Sequence, residues 1–337
     1  MATYKGISGL NIKSLSSDPS NLNEGEMWYN STSGTLKVAE TLAASWSSGG
    51  TIPQIVRGGG SGGTKTAAWL AGGLQYPGDT KNKSWTYNGT SWTAAPNIAN
   101  NYFIGGSTGP DSAGLLFDGI GSYGPGTATY EWDGSSWTSG GAITAAGPGG
   151  NSYCTGTGTQ TAALAIGGIG DPPPARVATV QDYNGTSWAA GNDTPLTTAG
   201  TSGDGPNSAT WIGGGDGGPG MSTKSFNYNG TSWTESGTIG TALPQGISAQ
   251  GWGPQTAGII AGGTSSEPTA TISQTYDGAT WSTGASMATA RQNAAMSSQS
   301  AGTQAGFVAG GWESSGNTGA TEEYSLSYVG TTTVTTS

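Results

Sequence analysis

The hexapeptide YNGTSW at residues 87–92 decides the fold, because the chain repeats it at residues 183–188 and 228–233. Two variants, WDGSSW at 132–137 and YDGATW at 276–281, bring the number of copies to five. Internal repeats with a period of about 20–50 residues indicate propellers, solenoids or repeat arrays. The tryptophans that end the five copies are separated by steps of 45, 51, 45 and 48 residues: Trp92, Trp137, Trp188, Trp233 and Trp281.

A second signal with a similar spacing is an apolar stretch that ends in paired glycines, as in AAWLAGG at 67–73. A short apolar run bounded by glycine predicts a strand that is buried on both faces. The glycine pair ends that strand where a Cβ would clash. A weaker copy, AGLLFDG at 113–119, has Asp118 in place of the first glycine, and with it the chain contains six such strands.

Each repeat supplies four short strands. The glycine pair and a variable loop are followed by a run such as TKSFNY, whose alternation predicts a half-buried strand. Asn-Gly or Asp-Gly then predicts a tight type I′ hairpin, and the Trp begins the return strand. An extended segment such as SMATARQNAAM at 286–296 completes a unit of roughly 48 residues, which cannot bury both faces alone. We therefore predict an all-β fold, a six-bladed β-propeller, with seven blades as the alternative; a parallel β-helix has much shorter coils.

The order of apolar strand, Gly-Gly, variable loop, Tyr or Asp, hairpin and Trp resembles the kelch repeat over residues 51–337. The resemblance implies a kelch-type propeller. Three positions depart from the pattern. Arg291 alone clearly occupies the kelch arginine position, Asp118 interrupts one glycine pair, and Thr333 stands where the last repeat would have its Trp.

The closure of the sixth blade has two solutions. Trp46 lies 46 residues before Trp92 and is in phase with the other five tryptophans. In kelch-like propellers both chain ends commonly complete one blade, so we expect the N-terminal strand with Trp46 to contribute. The alternative is that SYVGTTTVTTS at the C-terminus completes the blade unaided.

The first fifty residues differ from the repeats. Residues 1–25 are predicted to be an extended N-terminal attachment arm, with a disordered leader as the alternative. Residues 26–50 are predicted to hold a hairpin with STSG at its turn, followed by the strand that could close the propeller. The succession of Ser-Asp-Pro, GEMWYN and a Leu-Lys strand resembles N-terminal segments of bacteriophage tail-fibre and other virion proteins. Phrases such as GTGTQTAALAIGG are similar to kelch-like virion proteins of marine phages.

Composition excludes several classes of function. The 20 acidic residues outnumber the 10 basic ones, so a nucleic acid would be repelled, and no apolar run reaches the roughly 20 residues that span a bilayer. The start of the chain lacks the features of a secretory signal. There is no His, and Cys154 is the single Cys. Neither a Cys/His zinc site nor a Ser-His-Asp triad can be built, and we expect no metal and no cofactor.

Catalysis is not expected. The copper chemistry of galactose oxidase relatives needs histidines, which the chain lacks. A sialidase-like glycosidase would need an arginine triad, and Arg57, Arg176 and Arg291 fall at unequal phases of the repeat. A glycosidase is therefore only a distant alternative, and we predict that the protein is not an enzyme.

The loops after the glycine pairs share one face of the predicted propeller with the connections between blades, and the hairpins lie on the other. Variable loops on a repeated scaffold are the usual place for binding specificity. We therefore expect ligand-binding residues among Tyr76, Tyr123, Asp171, Arg176, Asp216, Trp312 and Glu313. The phased tryptophans, with Trp46, are instead predicted to be structural.

Together these features predict a structural protein of the phage virion surface, either a tail fibre or appendage or a head fibre or decoration protein. Its propeller would bind a host-surface glycan or receptor, and its arm would bind other virion proteins. A purely structural capsid or tail decoration is the alternative. No contact with nucleic acid and no membrane insertion are expected, and the sequence leaves open whether the protein forms a homo-oligomer.

Overall fold

The computed structural model describes residues 12–76, 82–121, 124–143, 151–170, 175–217, 222–240, 250–263, 270–298, 305–313 and 315–334. The chain divides into two compact units, Trp46–Ser325 and a unit composed of Met1–Ser45 with Leu326–Ser337. Throughout the described ranges the regular structure is β-strand. A search of the same ranges for a helix of the length and apolarity that a membrane span requires finds none.

The smaller unit is a four-stranded sheet. Its strands, in order across the sheet, are β1 (Lys13–Leu15), β2 (Met27–Asn30), β3 (Thr35–Leu42) and β37 (Tyr328–Thr333). Residues 1–11 of the segment predicted as an arm lie outside the described residues, whereas Lys13–Leu15 pairs in parallel with β2. Asp18 accepts hydrogen bonds from Trp28 Nε1 at 3.0 Å and from Asn30 Nδ2 at 2.8 Å. The Ser-Asp-Pro segment and the MWYN strand are therefore joined by side-chain hydrogen bonds.

The larger unit contains six four-stranded antiparallel sheets, which we call blades 1 to 6, within the described residues. Blade 1 consists of β6 (Gly60–Gly63), β7 (Ala68–Ala71), β9 (Ser84–Tyr87) and β10 (Trp92–Ala95). Blade 2 consists of β11 (Gly106–Thr108), β12 (Gly114–Phe117), β15 (Thr129–Trp132) and β16 (Trp137–Ser139). Blade 3 consists of β18 (Thr155–Thr159), β19 (Ala162–Ile166), β22 (Val180–Tyr183) and β23 (Trp188–Ala190). Blade 4 consists of β24 (Ser202–Asp204), β25 (Trp211–Gly213), β26 (Lys224–Tyr228) and β27 (Trp233–Thr238). Blade 5 consists of β28 (Gln250–Trp252), β29 (Gly258–Ala261), β30 (Ser273–Tyr276) and β31 (Trp281–Thr283).

Blade 6 is completed from the N-terminal side of the unit. It consists of β32 (Ala295–Met296), β33 (Gly306–Ala309), β36 (Thr321–Ser325) and β4 (Ser45–Gly49), in that order across the sheet. Trp46 therefore lies on the outer strand of blade 6, and the C-terminal β37 pairs with β3 instead. The inner strands of successive blades contact one another in a closed circle, so the prediction of an all-β propeller with six four-stranded blades is confirmed.

The second strand of each blade forms the core, as the apolar runs predict. In β7, β12, β19, β25, β29 and β33 nearly every residue is buried. The glycine pairs that follow have positive φ, for example 68° at Gly72 and 80° at Gly73. Asp118 keeps this backbone, with φ of 61°, so the interrupted pair still turns in the same way.

The hairpins differ from the predicted type I′ turn. Tyr87 pairs with Trp92, so the loop contains four residues, and within it only Gly89 has positive φ, at 88°. The side chain of Asn88 accepts hydrogen bonds from the backbone N–H groups of Thr90 at 3.0 Å and Ser91 at 2.9 Å. These side-chain hydrogen bonds stabilise the reversal of the chain, so a second residue with positive φ, which a two-residue turn would need, is not required. The predicted turn type is therefore wrong, although the hairpin is present.

Six tryptophans connect the blades into a circle. Trp46, Trp92, Trp137, Trp188, Trp233 and Trp281 lie on the outer strands, and each donates its indole N–H to the preceding blade at 2.9–3.3 Å. The acceptors are Ala285 O, Thr321 Oγ1, Ser84 Oγ, Thr129 Oγ1, Asn192 O and Ser225 Oγ, respectively. We call these six residues the tryptophan ring.

Short ribbons lie between the blades and at the loops after the glycine pairs. They are β5 (Ile55–Arg57) with β8 (Leu74–Tyr76), β13 (Ile120–Gly121) with β14 (Gly124–Pro125), β17 (Asn151–Ser152) with β20 (Ile169–Gly170) and β21 (Ala175–Arg176), and β34 (Trp312–Glu313) with β35 (Gly316–Asn317). Since consecutive strands within a blade are antiparallel, these loops share a face with the connections between blades, and the hairpins end at the other face.

Candidate functional site

A ring of equivalent residues surrounds the end of the propeller axis on the face that carries the ribbons. In each of five blades the residue two positions before the inner strand has a left-handed backbone. The five residues, which we call the mouth ring, are Gly58, Ile104, Tyr153, Gly200 and Asn293, with φ of 66°, 50°, 57°, 63° and 53°. The equivalent position of blade 5 lies outside the described residues.

Backbone hydrogen bonds join the mouth ring from blade to blade. The Gly58 N–H donates to Asn293 O at 2.7 Å, and Ile104 N–H donates to Gly58 O at 2.8 Å. The N–H groups of Tyr153 and Gly200 continue the series to Ile104 O and Tyr153 O, each at 2.7 Å. Each bond crosses a blade boundary, so the left-handed conformation positions every ring residue against its neighbour.

The glycine pairs hold the chain just before the mouth ring. The second glycine of a pair donates its N–H to the residue two positions before the next ring member. Gly73 N–H, for example, donates to Tyr102 O at 2.7 Å, and Gly311 N–H donates to Val56 O at 2.8 Å. A Cβ on Gly72 would lie 2.8 Å from Tyr102 O, which explains why this position needs glycine. The repeated Gly-Gly motif therefore builds the geometry of the mouth.

The mouth ring opens into a cavity of about 100 Å³. Its walls are the beginnings of the inner strands, so backbone groups and the small side chains of Ser61, Ser107, Thr155 and Thr201 predominate. These hydroxyls connect blades: Ser107 Oγ donates to Ser61 O at 3.0 Å, and Thr155 Oγ1 donates to Thr201 O at 2.7 Å. The cavity is narrow, has both polar and apolar walls, and is held in shape by contacts between blades.

The opposite end of the axis is closed by side chains from alternate blades. Thr108 Oγ1 lies 3.1 Å from Ser298 Oγ and donates to Gly158 O at 2.6 Å. Ser298 Oγ also lies 3.5 Å from Asp204 Oδ1. Thr108 and Asp204 are fully buried. Among the described residues, side chains therefore fill this end of the axis, whereas the mouth ring opens into the cavity.

Tyr153 and Asn293 line the cavity, and Arg57, the residue before Gly58, is close enough for its charge to act on the Tyr153 phenol. Burial raises the pKa of the Tyr153 phenol, and the positive charge of Arg57 partly opposes that rise, so the phenol is neutral at pH 7. Arg57 forms no ion pair with any described residue, and its buried Nε has no hydrogen-bond partner there. A guanidinium that has no counter-charge among the described residues and lies near a neutral phenol can bind hydroxyl or carboxylate oxygens of a ligand.

Cys154 also lines the cavity, but it is a poor nucleophile. The side chain is buried, and this burial, together with the nearby Asp118 carboxylate, raises the pKa of the thiol well above its usual range. The protonated thiol acts as a small apolar residue of the wall.

Two of the predicted ligand residues, Arg176 and Asp216, are brought together as an ion pair. The backbone of Asp216 pairs with Ala199, next to Gly200 of the mouth ring. The pair thus joins the blade 3 ribbon to the loop after the glycine pair of blade 4. The ion pair connects two loops. The Arg176 side chain is partly exposed, at 37% of its surface.

Trp312 and Glu313 lie nearer to the mouth. Trp312 forms an antiparallel bridge with Gln292, the residue before Asn293, through backbone hydrogen bonds of 2.8 and 3.0 Å. Both side chains are half-buried. Tyr123 and Asp171 lie outside the described residues, and Tyr76 is described only through its backbone in β8.

Arg291, the kelch arginine, is an internal residue. It is fully buried and donates to Glu322 Oε1 at 2.6 Å and to the carbonyl groups of Ala320 and Gly310 at 2.8 and 3.2 Å. Glu323, on the other face of β36, accepts a hydrogen bond from Tyr87. Because Arg291 is enclosed in the core of blade 6, the glycosidase alternative gains no support from it. Among the described residues no group of three or more His, Cys, Asp and Glu side chains has the arrangement of a metal site.

Sequence reasoning missed Tyr153 and Asn293. Both stand where Gly58 and Gly200 stand in other blades, so an alignment of the residues before the inner strands contains the signal. That part of the repeat has no apolar run and no residue that is the same in every copy. Equivalent positions in different blades can therefore be aligned only when the inner strands are known.

Comparison with known proteins supports the fold. No family model matches the chain, and no curated protein matches its sequence. Among solved structures, the chain is similar to the protein YjhT ("Structure of YjhT"), with a TM-score of 0.63 and 14% sequence identity. The similarity covers 83% of this chain and 99% of YjhT. YjhT is a kelch-repeat β-propeller protein. The Trp46–Ser325 unit has the kelch-type propeller fold. At this identity the likeness concerns the fold alone.

Proposed function

We propose that the protein is a structural protein of a bacteriophage virion surface and that the mouth face of its propeller binds a saccharide of the host surface. The phage origin rests on the N-terminal resemblance, namely Ser-Asp-Pro followed by GEMWYN and a Leu-Lys strand. In this reading the N-terminal segment contacts other virion proteins as part of a tail fibre, appendage or head decoration.

The observation that carries the binding proposal is the set of hydrogen-bonding groups around the mouth cavity. Arg57 has a buried Nε without a partner among the described residues, and the neutral phenol of Tyr153 lies within reach of its charge. Saccharides offer hydroxyl groups that donate and accept, and apolar faces that pack on aromatic rings. Adhesion needs no cofactor and no general base, in agreement with a chain that has no His.

Binding of the full-length chain to host cells and to purified cell-surface saccharides tests the proposal. We expect saturable binding, with Arg57→Gln weakening affinity about tenfold or more because a charged hydrogen bond is lost. Thr231→Lys is the matched control, because Thr231 is exposed in a hairpin loop on the opposite face, and it should bind like the wild type.

The alternative is a purely structural decoration protein. That function predicts that the wild type binds neither cells nor saccharides, and that particles without the protein lose physical stability. Equal loss of binding in Arg57→Gln and Thr231→Lys would also contradict the mouth face as the binding surface.

A further inference from the structure

The mouth ring combines one backbone geometry with different side chains. All five described members are left-handed, and two of them, Gly58 and Gly200, are glycine. Glycine therefore satisfies the fold at this position. Of the remaining members, Ile104 and Tyr153 adopt a conformation that is exceptional for bulky or β-branched side chains, whereas asparagine, here Asn293, tolerates it better than most residues.

The packing of the Ile104 side chain explains how isoleucine is accommodated at a position with positive φ. The side chain is only 8% exposed, and a Cβ on Gly58 would lie 2.7 Å from Ile104 Cγ2 and 2.5 Å from Phe103 Cε2. Ile104 therefore fills the space between two blades. Burial of its apolar surface offsets the backbone strain.

Tyr153 and Asn293 have no comparable compensation. Both side chains are half-buried at the rim of the cavity. Neither the phenol nor the amide has a side-chain hydrogen bond to any described residue, and Tyr153 shows no ring contact there. Among the described residues, the left-handed backbone thus places two polar groups at the rim of the cavity, with backbone strain at Tyr153.

We infer that Tyr153 and Asn293 contact the ligand and select a terminal sugar unit. The phenol can pack on the apolar face of a pyranose ring and hydrogen-bond through its hydroxyl, and the Asn293 amide can both donate and accept. The cavity of about 100 Å³ is smaller than the roughly 300–1,000 Å³ of typical ligand pockets, so we expect one end of a saccharide to enter rather than an internal stretch. This inference rests on the proposed function and assigns its binding residues.

Glycine substitutions separate strain from binding. In the full-length chain, Tyr153→Gly should leave the melting temperature unchanged or raise it by about 1–3 °C, because strain is released, and Asn293→Gly should leave it nearly unchanged, because asparagine already tolerates this backbone. The same variants should lose about tenfold or more in affinity, measured by saturation-transfer NMR with glucose, galactose, N-acetylglucosamine and glucuronate, and by binding to host cells. Asp118→Gly is the matched control, since Asp118 is also left-handed but does not line the cavity, and its affinity should be that of the wild type.

Tyr153→Phe refines the test, because it keeps the ring and the strain and removes only the hydroxyl. A smaller loss of affinity than in Tyr153→Gly is expected. If the wild type binds sugar or cells and both glycine variants bind within twofold of it, the inference is wrong while the proposed function stands. A fall of more than about 5 °C in the melting temperature of both variants would show that the side chains hold the fold and would overturn the inference. Absence of binding by the wild type to cells and to every sugar would overturn both.

Discussion

The tryptophan ring and the mouth ring are two circles of equivalent positions in one propeller, and they follow opposite rules. In the tryptophan ring all six blades use the same residue, whose indole N–H donates to a backbone carbonyl or a hydroxyl of the preceding blade. In the mouth ring the backbone conformation is constant while glycine, isoleucine, tyrosine and asparagine alternate. Repetition of a side chain marks the scaffold, whereas variation on a constant backbone marks the positions that are free to take on a function.

This difference has a physical basis. A tryptophan on the outer strand buries a large apolar surface between blades and satisfies its N–H, so any smaller residue leaves a cavity. A mouth ring residue is held by its backbone N–H and carbonyl groups, which every amino acid except proline provides. Its side chain is therefore free of the demands of the fold, apart from the strain of a positive φ.

The largest effect is expected from truncation in the tryptophan ring. Trp188 is 6% exposed, packs on Tyr183 and Phe117 with ring centroids 4.8 and 4.7 Å apart, and donates to Thr129. Trp188→Ala should lower the free energy of unfolding by about 3–5 kcal/mol, measured by urea denaturation. Trp233→Ala is the matched comparison, because Trp233 is only half-buried and its loss should be smaller. Equal losses at the two sites would contradict the dependence on burial.

An intermediate effect is expected from two tyrosines that reinforce the tryptophan ring. Tyr183 Oη donates to Glu131 at 2.5 Å, and Tyr87 Oη donates to Glu323 at 2.5 Å, in each case between neighbouring blades. Tyr183→Phe should lower the free energy of unfolding at pH 7 by about 1.5 kcal/mol, at the low end for a bond to a charged group because Glu131 is half-buried.

The same pair predicts an alkaline loss of stability. Burial first, and then the hydrogen bond to the glutamate, raises the pKa of Tyr183 and of Tyr87 to about 12 from the usual 10.0. Because the folded-state pKa is the higher one, this stabilisation is complete below pH 10 and is lost as the pH rises towards 12. The double variant Tyr87→Phe/Tyr183→Phe should show a flatter stability profile over that interval. Identical alkaline profiles for variant and wild type would refute the assignment.

The repeats were sufficient to predict the blades because their signals are local. Apolar runs, glycine pairs and the phased Trp each report the burial of one strand, and six blades follow from counting them. The predicted turn type is wrong because Asn88 accepts hydrogen bonds from two N–H groups of its own loop. The preference of Asn-Gly for type I′ turns does not take such side-chain bonds into account. The side chains at the mouth could not be predicted in the same way. Tyr153 and Asn293 are distant in sequence and line the same cavity only because the inner strands form a closed circle.

The Arg176–Asp216 pair shows why loop composition alone was an incomplete guide to the site. Both residues lie in variable loops, as the prediction required, yet they bind each other. A residue that already has an intramolecular partner must break that contact or share it before it can bind a ligand. The unpaired Arg57, which precedes a ring residue rather than following a glycine pair, has no such competition among the described residues.

The smallest effect is expected at this pair. Arg176→Gln should change the free energy of unfolding by less than about 1 kcal/mol, because the Arg176 side chain is 37% exposed and solvent-accessible ion pairs contribute little. Affinity for the saccharide should fall less than twofold, against about tenfold for Arg57→Gln. Asp216→Asn, combined with Arg176→Gln in a double-mutant cycle, separates the pair from other effects of either residue. An affinity loss in Arg176→Gln as large as that in Arg57→Gln would extend the binding surface from the mouth ring to the ribbon of blade 3. The constant backbone of the ring would then mark the centre of a wider site whose edge is built by the loops.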